Sequence, residues 1–195
     1  MIKGITLTIL LTVIVLTFYA IDFYFMLRFD PQRQQKGKGW SWDYTLTTFA
    51  AGVVVLLQPV ILPKIAWSTD LAWGLVLQII GGLSVFLSFV IHIWSRYHLR
   101  HFYTERVEVQ ADHQVIDTGP YALVRHPLIV SFFLLAGGVF FINPAITTLL
   151  AVAYTIISFT SSAKQEEELL SNSVSGYKKY MARVPRFLPR IWKEQ

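Results

Sequence analysis

The sequence predicts an all-α integral membrane protein: a bundle of five transmembrane helices with the N-terminus outside and the C-terminus cytoplasmic. Three observations carry this reading. Of 195 residues, 54% are hydrophobic and only 15% charged, well below the roughly 25% charge of a soluble domain. Uncharged stretches of spanning length fill most of the chain. The basic residues fall on one side of the spans so defined.

The spans follow in order. Ile5 to Ile21 is uncharged, and beyond Asp22 the apolar character resumes to Leu27. This is too long for the core of a signal peptide, and no A-x-A cleavage site follows it. Tyr44 to Pro63 forms the second uncharged stretch and Leu71 to Ser95 the third, which contains His92. Pro127 to Ala163 carries no charge and exceeds one span. Asn143-Pro144 divides it in two, because proline disfavours helical geometry in the residue before it. With the N-terminus outside, the inner segments hold every Lys and Arg of the 17 except Lys3 and Lys64, which fixes the orientation. A single membrane domain over 1–195 is expected: spans one to three and their connection in 1–112, and spans four and five with the tail in 113–195.

Smaller features fit this frame. The pairs Gly81-Gly82 and Gly137-Gly138 read as places where helices approach closely. Trp40, Trp42, Trp67, Trp73 and Trp94 fall near span ends, where indole rings anchor at the interface. Asp22, near the inner end of the first span, reads as a snorkelling carboxylate ahead of a substrate contact. The absence of cysteine excludes a disulfide framework, thiolate zinc sites, iron–sulfur ligation and a Cys nucleophile. Although the net charge is +5, the basic residues flank apolar runs, so anionic lipid and topology account for them and nucleic acid is not an expected partner. His92, His98 and His101 read as interfacial residues; no acidic ligand stands at a helical spacing from them, and no metal is expected.

Polar chemistry gathers on the inner side, between Arg96 and His126 and from Lys164 onward. Thr118-Gly119-Pro120-Tyr121 is a turn signature, and Pro127 suits the first position of a helix, where its missing N–H costs nothing. Arg125 and His126 then stand at a helix entrance, beside free backbone N–H groups. Two readings stay open there: an anion-binding corner, or a capped helix with positive flanks. Glu166, Glu167 and Glu168 point in three directions on a helix; one can face inward while the others meet water. The tail from Tyr177 to Arg190 mixes aromatic, basic and proline residues, suiting either the lipid interface or a lid over a site.

From about His113 to Pro189 the sequence resembles the isoprenylcysteine carboxyl methyltransferase family and its relatives among membrane phospholipid methyltransferases. The resemblance rests on Gly119-x-Tyr121, Arg125-His126-Pro127, Asn143-Pro144, the Glu run, and Tyr177-x-x-Tyr180 followed by Arg183-Val184-Pro185, in that order. It implies an integral membrane enzyme that uses S-adenosyl-L-methionine without a Rossmann domain. Consistently, no strand followed by G-x-G-x-x-G is present. Carried over residue by residue, it implies that His113, Gln114, Val115 and Ile116 line the cofactor pocket with Tyr121. His126, Pro127, Leu128 and Ile129 form another wall, and Glu167 meets the donor's amino group. Arg125 and His126 are the candidate catalytic residues, orienting an anionic acceptor.

Two positions depart from the family pattern: Ile129 replaces a tyrosine, and Ala163 stands where eukaryotic members carry a substrate-binding arginine. The implied activity is carboxyl O-methylation of a prenylcysteine-like acceptor, a lipophilic small molecule or lipidated peptide entering from the bilayer. Its nearest rival is N-methylation of a phospholipid or other lipid amine. An NADPH-dependent sterol-type reductase, whose family carries extra spans, and a non-catalytic membrane protein are further alternatives.

Overall fold

The computed structural model describes residues 2–29, 42–67, 71–99 and 115–190. His113, Gln114 and His101 lie outside the described residues. Among the described residues six α-helices follow one another: α1 Gly4–Phe29, α2 Trp42–Ile61, α3 Leu71–Leu99, α4 Pro127–Ile142, α5 Ile146–Ser173 and α6 Tyr177–Arg183, with 3-10 turns at Pro63–Ile65 and Gly119–Ala122. No strand occurs among the described residues, apart from one isolated bridge between Ala66 and Ala145. Among the described residues three segments are long and apolar enough to cross a membrane: Gly4–Phe25, Ala72–Leu99 and Ile146–Ser173. Gly52–Ile61, within α2, and Pro127–Ile142 are shorter apolar helices.

On α1 the buried residues Leu7, Leu11 and Phe18 form one helical stripe, while Ile5, Ile9, Val13, Leu16 and Phe23 are exposed on the other face. Apolar side chains on both faces are what a helix between protein and lipid requires. The buried stripe joins Val85 of α3 and Leu135, Val139 and Ile142 of α4 in one core.

The closest packing is between α3 and α4. A Cβ added to Gly81 would stand 2.7 Å from the Gly138 carbonyl oxygen, and one on Gly138 would stand 2.7 Å from Val85 Cγ2. Gly82 and Gly137 have nothing within 4 Å, so only one residue of each pair serves the contact. Serines complete the seam: Ser84 Oγ donates to the Leu134 carbonyl at 2.8 Å and Ser88 Oγ to that of Ser131 at 2.7 Å. In a membrane, where burying apolar surface gives little drive between helices, such small residues and hydrogen bonds carry the association.

Helix α4 ends at Ile142 and α5 begins at Ile146, as the Asn143-Pro144 break predicts. Asn143 Nδ2 donates to Gln58 Oε1 at 2.6 Å, and Thr148 Oγ1 donates to the Asn143 carbonyl at 2.7 Å. The Trp67 amide donates to the Pro144 carbonyl at 2.8 Å. The corner that separates α4 from α5 is therefore tied to the end of α2. Helix α5 runs as far as Ser173, carrying the Glu run on a continuous helix.

Because the Gly81 site has no space for a methyl group, Gly81→Ala is expected to destabilise the protein by about 1–3 kcal/mol, the usual cost of overpacking. Gly82→Ala is expected to leave stability unchanged or raise it slightly. Thermal unfolding of the detergent-purified variants checks the pair.

Candidate active site

The site forms where the start of α4, the end of α5 and the tail meet. Gly119 adopts φ +58°, and a Cβ there would come within 2.4 Å of the His98 ring. Only glycine suits both the backbone and the space. The turn it opens brings Tyr121 inward; its carbonyl accepts a hydrogen bond from Tyr180 Oη at 2.7 Å. Leu170, Val174, Tyr177, Tyr180 and Val184 form a second buried cluster, with Val115 packed against it. Burial holds the Tyr177 and Tyr180 phenols well above the usual tyrosine value, aided for Tyr177 by Glu166 and Glu167. Both stay neutral at any ordinary pH.

Two backbone bonds lash the tail to the entrance of α4: the Arg125 amide donates to the Pro185 carbonyl at 2.8 Å and that of His126 to the Arg186 carbonyl at 3.1 Å. At the centre stands Glu167, buried to 3% exposure. Its Oε1 accepts from Arg125 Nε at 2.9 Å, and His126 Nε2 stands 3.0 Å from the same oxygen. Arg186 donates through Nε to Oε1 at 3.0 Å and through its terminal nitrogen to Oε2 at 2.5 Å. Such a bidentate guanidinium fork is among the stronger charge-assisted arrangements. The Arg125 side chain also donates to the Met181 and Val184 carbonyls, at 3.0 and 2.5 Å. Glu166 Oε2 lies 3.5 Å from His126 Nδ1.

Of the residues singled out from sequence, Arg125, His126 and Glu167 thus make one ion cluster. Tyr121, Pro127 and Ile129 are buried beside it along the chain, with Ile116 and Leu128 half-buried. Arg186 was not singled out, although a basic residue between Pro185 and Phe187 in a tail expected to cover a site was its signal. Arg125 is engaged within the protein fold and does not stand open as an acceptor-binding cation. Ala163, fully buried, lies one turn before Glu167 on the same face of α5.

A second cluster lies within the bundle. Asp22 Oδ1 faces His92 Nε2 at 3.0 Å and pairs with Arg96; His92 and Arg96 are 1% and 3% exposed. Asp22 therefore points into the protein instead of snorkelling, and His92 is a core residue. Among the described residues no group of three or more His, Asp and Glu side chains is placed to hold a metal.

The profile of the isoprenylcysteine carboxyl methyltransferase family matches residues 80–172, the stretch from α3 to the end of α5. Over that stretch, just under half of its length, the chain is similar to the isoprenylcysteine carboxyl methyltransferase family. The solved structure of the eukaryotic intramembrane Ras methyltransferase of that name aligns with 91% of this chain and 67% of its own, at a TM-score of 0.59 and 21% identity. At that identity the likeness is one of fold. Two curated relatives are the nickel-cobalt-cadmium resistance protein NccN of Alcaligenes xylosoxydans xylosoxydans, 28% identical over 114 residues, and the cobalt-zinc-cadmium resistance protein CzcN of Cupriavidus metallidurans, 27% identical over 114 residues. The match covers 57% of this chain and 49% of each of those, so the chain spans about half the length of the curated relatives it matches.

Burial opposes the charge on His126, but hydrogen bonds and charges from Glu166 and Glu167 outweigh it and raise its pKa above the usual histidine value. The folded protein thus binds that proton more tightly than the unfolded chain. The resulting stabilisation is complete below the unfolded value of about 6.5 and is lost as pH rises through the raised folded value. Thermal stability is therefore expected to decline with rising pH above about 6.5, and His126→Gln to flatten that part of the profile, as measured by melting in detergent across a pH series.

Proposed function

We propose that this protein is a multi-pass membrane methyltransferase that uses S-adenosylmethionine at its cytoplasmic face to methylate a lipophilic acceptor. The observation that carries the reading is the buried Glu167 with Arg125, His126 and Arg186 around it. The amino-acid end of the donor bears an ammonium and a carboxylate, and this cluster offers groups of both signs. Arg186 is one-third exposed at its side chain. Its outward rotation would release Glu167 Oε2 for the ammonium and leave the guanidinium for the carboxylate. Tyr121, Pro127, Leu128 and Ile129, with Val115, Ile116 and the His113-Gln114 pair, are assigned to the walls.

When bound, S-adenosylmethionine supplies a methyl group activated on a sulfonium. The protein's contribution is then to fix both partners in line and to exclude water, without a covalent intermediate. Donor and acceptor arrive by different routes, the polar donor from the cytosol and the acceptor laterally from the bilayer. The five-span topology, with α2 and α4 as the two remaining spans, puts the α4 entrance, the end of α5 and the tail together on the inner side. The whole of 1–195 acts as one domain, with 113–195 carrying the donor site.

Carboxyl O-methylation of a prenylcysteine-like acceptor is the reading that the family match over residues 80–172 supports, and an ionised carboxylate needs no base. A lipid amine is the second reading. It is favoured by two local facts: Ala163 leaves no cation where the family's arginine is expected, and Arg125 is occupied by Glu167 and two carbonyls.

Isothermal calorimetry with S-adenosylhomocysteine is expected to show saturable binding to the purified protein. Glu167→Gln should weaken it by about 1.5–3 kcal/mol, the range for a charge-assisted hydrogen bond. Glu168→Gln, on the exposed side of α5, should leave it unchanged. Absence of binding to the folded wild type would sink the methyltransferase reading. For topology, a reporter fused after Gln195 is expected in the cytoplasm and one inserted at Thr69 outside; an external C-terminal reporter would refute the orientation.

A further inference from the structure

The tail lies over the proposed donor site, and its position against α4 shows what meets its outer side. Helix α3 supplies the ruler, being long and apolar enough to span a membrane. Ser88 Oγ donates to the Ser131 carbonyl and Ser84 Oγ to that of Leu134, and His92 Nδ1 lies 3.1 Å from Ser131 Oγ. These contacts run α4 antiparallel to α3 and put Phe133 level with the middle of the Ala72–Leu99 span. Pro127, four residues before Ser131, stands about level with His92, and α3 continues seven residues further to Leu99. At 1.5 Å per residue the entrance of α4 is therefore recessed by roughly 10 Å from the end of that span.

The tail descends into this recess. The centroid of the Phe187 ring lies 6.0 Å from that of His126 and 5.3 Å from that of Phe133. The next residue, Leu188, is 81% exposed, and Leu123, two residues before Arg125 at the seam with the tail, is also exposed. Single exposed leucines are ordinary on a surface that meets water. Beside the first turns of α4, at the level of the α3 span, the surroundings are acyl chains and headgroups instead.

The backbone agrees. Non-helical chain is tolerated at membrane depth only where its polar groups are satisfied within the protein. Arg125 donates through its guanidinium to the Met181 and Val184 carbonyls and through its amide to that of Pro185, while the His126 amide donates to the Arg186 carbonyl. Pro185 and Pro189 have no N–H to satisfy. Arg190 is exposed, and its long stem can carry the charge back to the phosphate layer.

We propose that Leu188 inserts into the acyl boundary of the inner leaflet and that this lipid contact holds the strap 185–188 closed on Glu167. The occupant of the exposed face is the bilayer itself. The inference rests on the five-span membrane reading and adds a regulation to the proposed donor site. Arg186, which makes the fork with Glu167, stands two residues before Leu188, so one short stretch of chain makes both the charge contact and the lipid contact. The strap opens only when Leu188 leaves the lipid.

The chain has no cysteine, so Leu188→Cys and Lys178→Cys each carry a single nitroxide label. In liposomes of phosphatidylcholine with phosphatidylglycerol, power saturation compares collisions with oxygen, which concentrates in lipid, and with a water-soluble nickel chelate. The label at 188 is expected to favour oxygen, and the one at 178, exposed on α6, the chelate. A label at 188 that meets the chelate as readily as the one at 178 puts the strap in water and overturns the proposal. One shielded from both probes means that protein, such as a second copy, covers the position, and overturns it as well. For the hold on the strap, Leu188→Asp in the same liposomes should speed hydrogen exchange of the Arg125 and His126 amides by about tenfold or more, the factor lost with a buried leucine. Leu188→Phe should keep the wild-type rate. Unchanged exchange in Leu188→Asp with α3 still protected, or equally fast exchange in Leu188→Phe, overturns that hold. The label measurement decides the lipid contact even if Leu188→Asp unfolds. Neither measurement uses a ligand, so failure to bind S-adenosylhomocysteine defeats the donor reading and leaves the lipid contact standing.

Discussion

The burial of Glu167 is the constraint on which the inner half of the molecule depends. An ionised carboxylate withdrawn from water costs several kcal/mol unless its partners surround it. Those partners come from two other places in the chain: Arg125 and His126 at the entrance of α4, and Arg186 in the tail. Satisfying one side chain thus joins the end of α5, the start of α4 and the segment after α6. The backbone bonds from 125 to 185 and from 126 to 186 follow the same seam. Removing Glu167 would leave Arg125, His126 and Arg186 without the carboxylate they share.

The two halves of the protein use different physics. Within the membrane the contacts are of shape: glycine against glycine, serine hydroxyls on neighbouring carbonyls, and an aromatic group formed by Phe18, Phe89 and Phe132. Around the α4 entrance and the end of α5 the contacts are of charge. The first turn of α4 lies between the regimes, with the Glu167 cluster on one side and the Asp22 cluster on the other, linked by Ser131. A donor with a polar amino-acid end and an acceptor with an apolar body would meet across such a boundary.

The family match and the local chemistry cover different parts of the chain. The matched stretch, 80–172, contains Arg125, His126 and Glu167, together with His92 and Arg96. Asp22 lies outside it, on α1, and Arg186 lies beyond it in the tail.

The sequence by itself determined the apolar helical character, the break at Asn143-Pro144, the start of α4 at Pro127 and the gathering of polar residues on one side. These follow from local rules: hydropathy over a spanning length, the geometry of proline, and the distribution of Lys and Arg. From the same residues Arg125, His126 and Glu167 were legible as candidates, the last through resemblance, since spacing cannot say which of three consecutive glutamates faces inward. Tertiary structure decided what each one touches. It turned Arg125 from an open cation into a partner of Glu167, brought in Arg186 from the tail, chose Gly81 and Gly138 from two Gly-Gly pairs, and aimed Asp22 inward at His92 and Arg96. A side chain's periodicity tells which way it leaves its own helix. Whether it meets lipid, water, a polar partner or an opposite charge depends on residues as much as 85 positions away, and only packing brings those into reach.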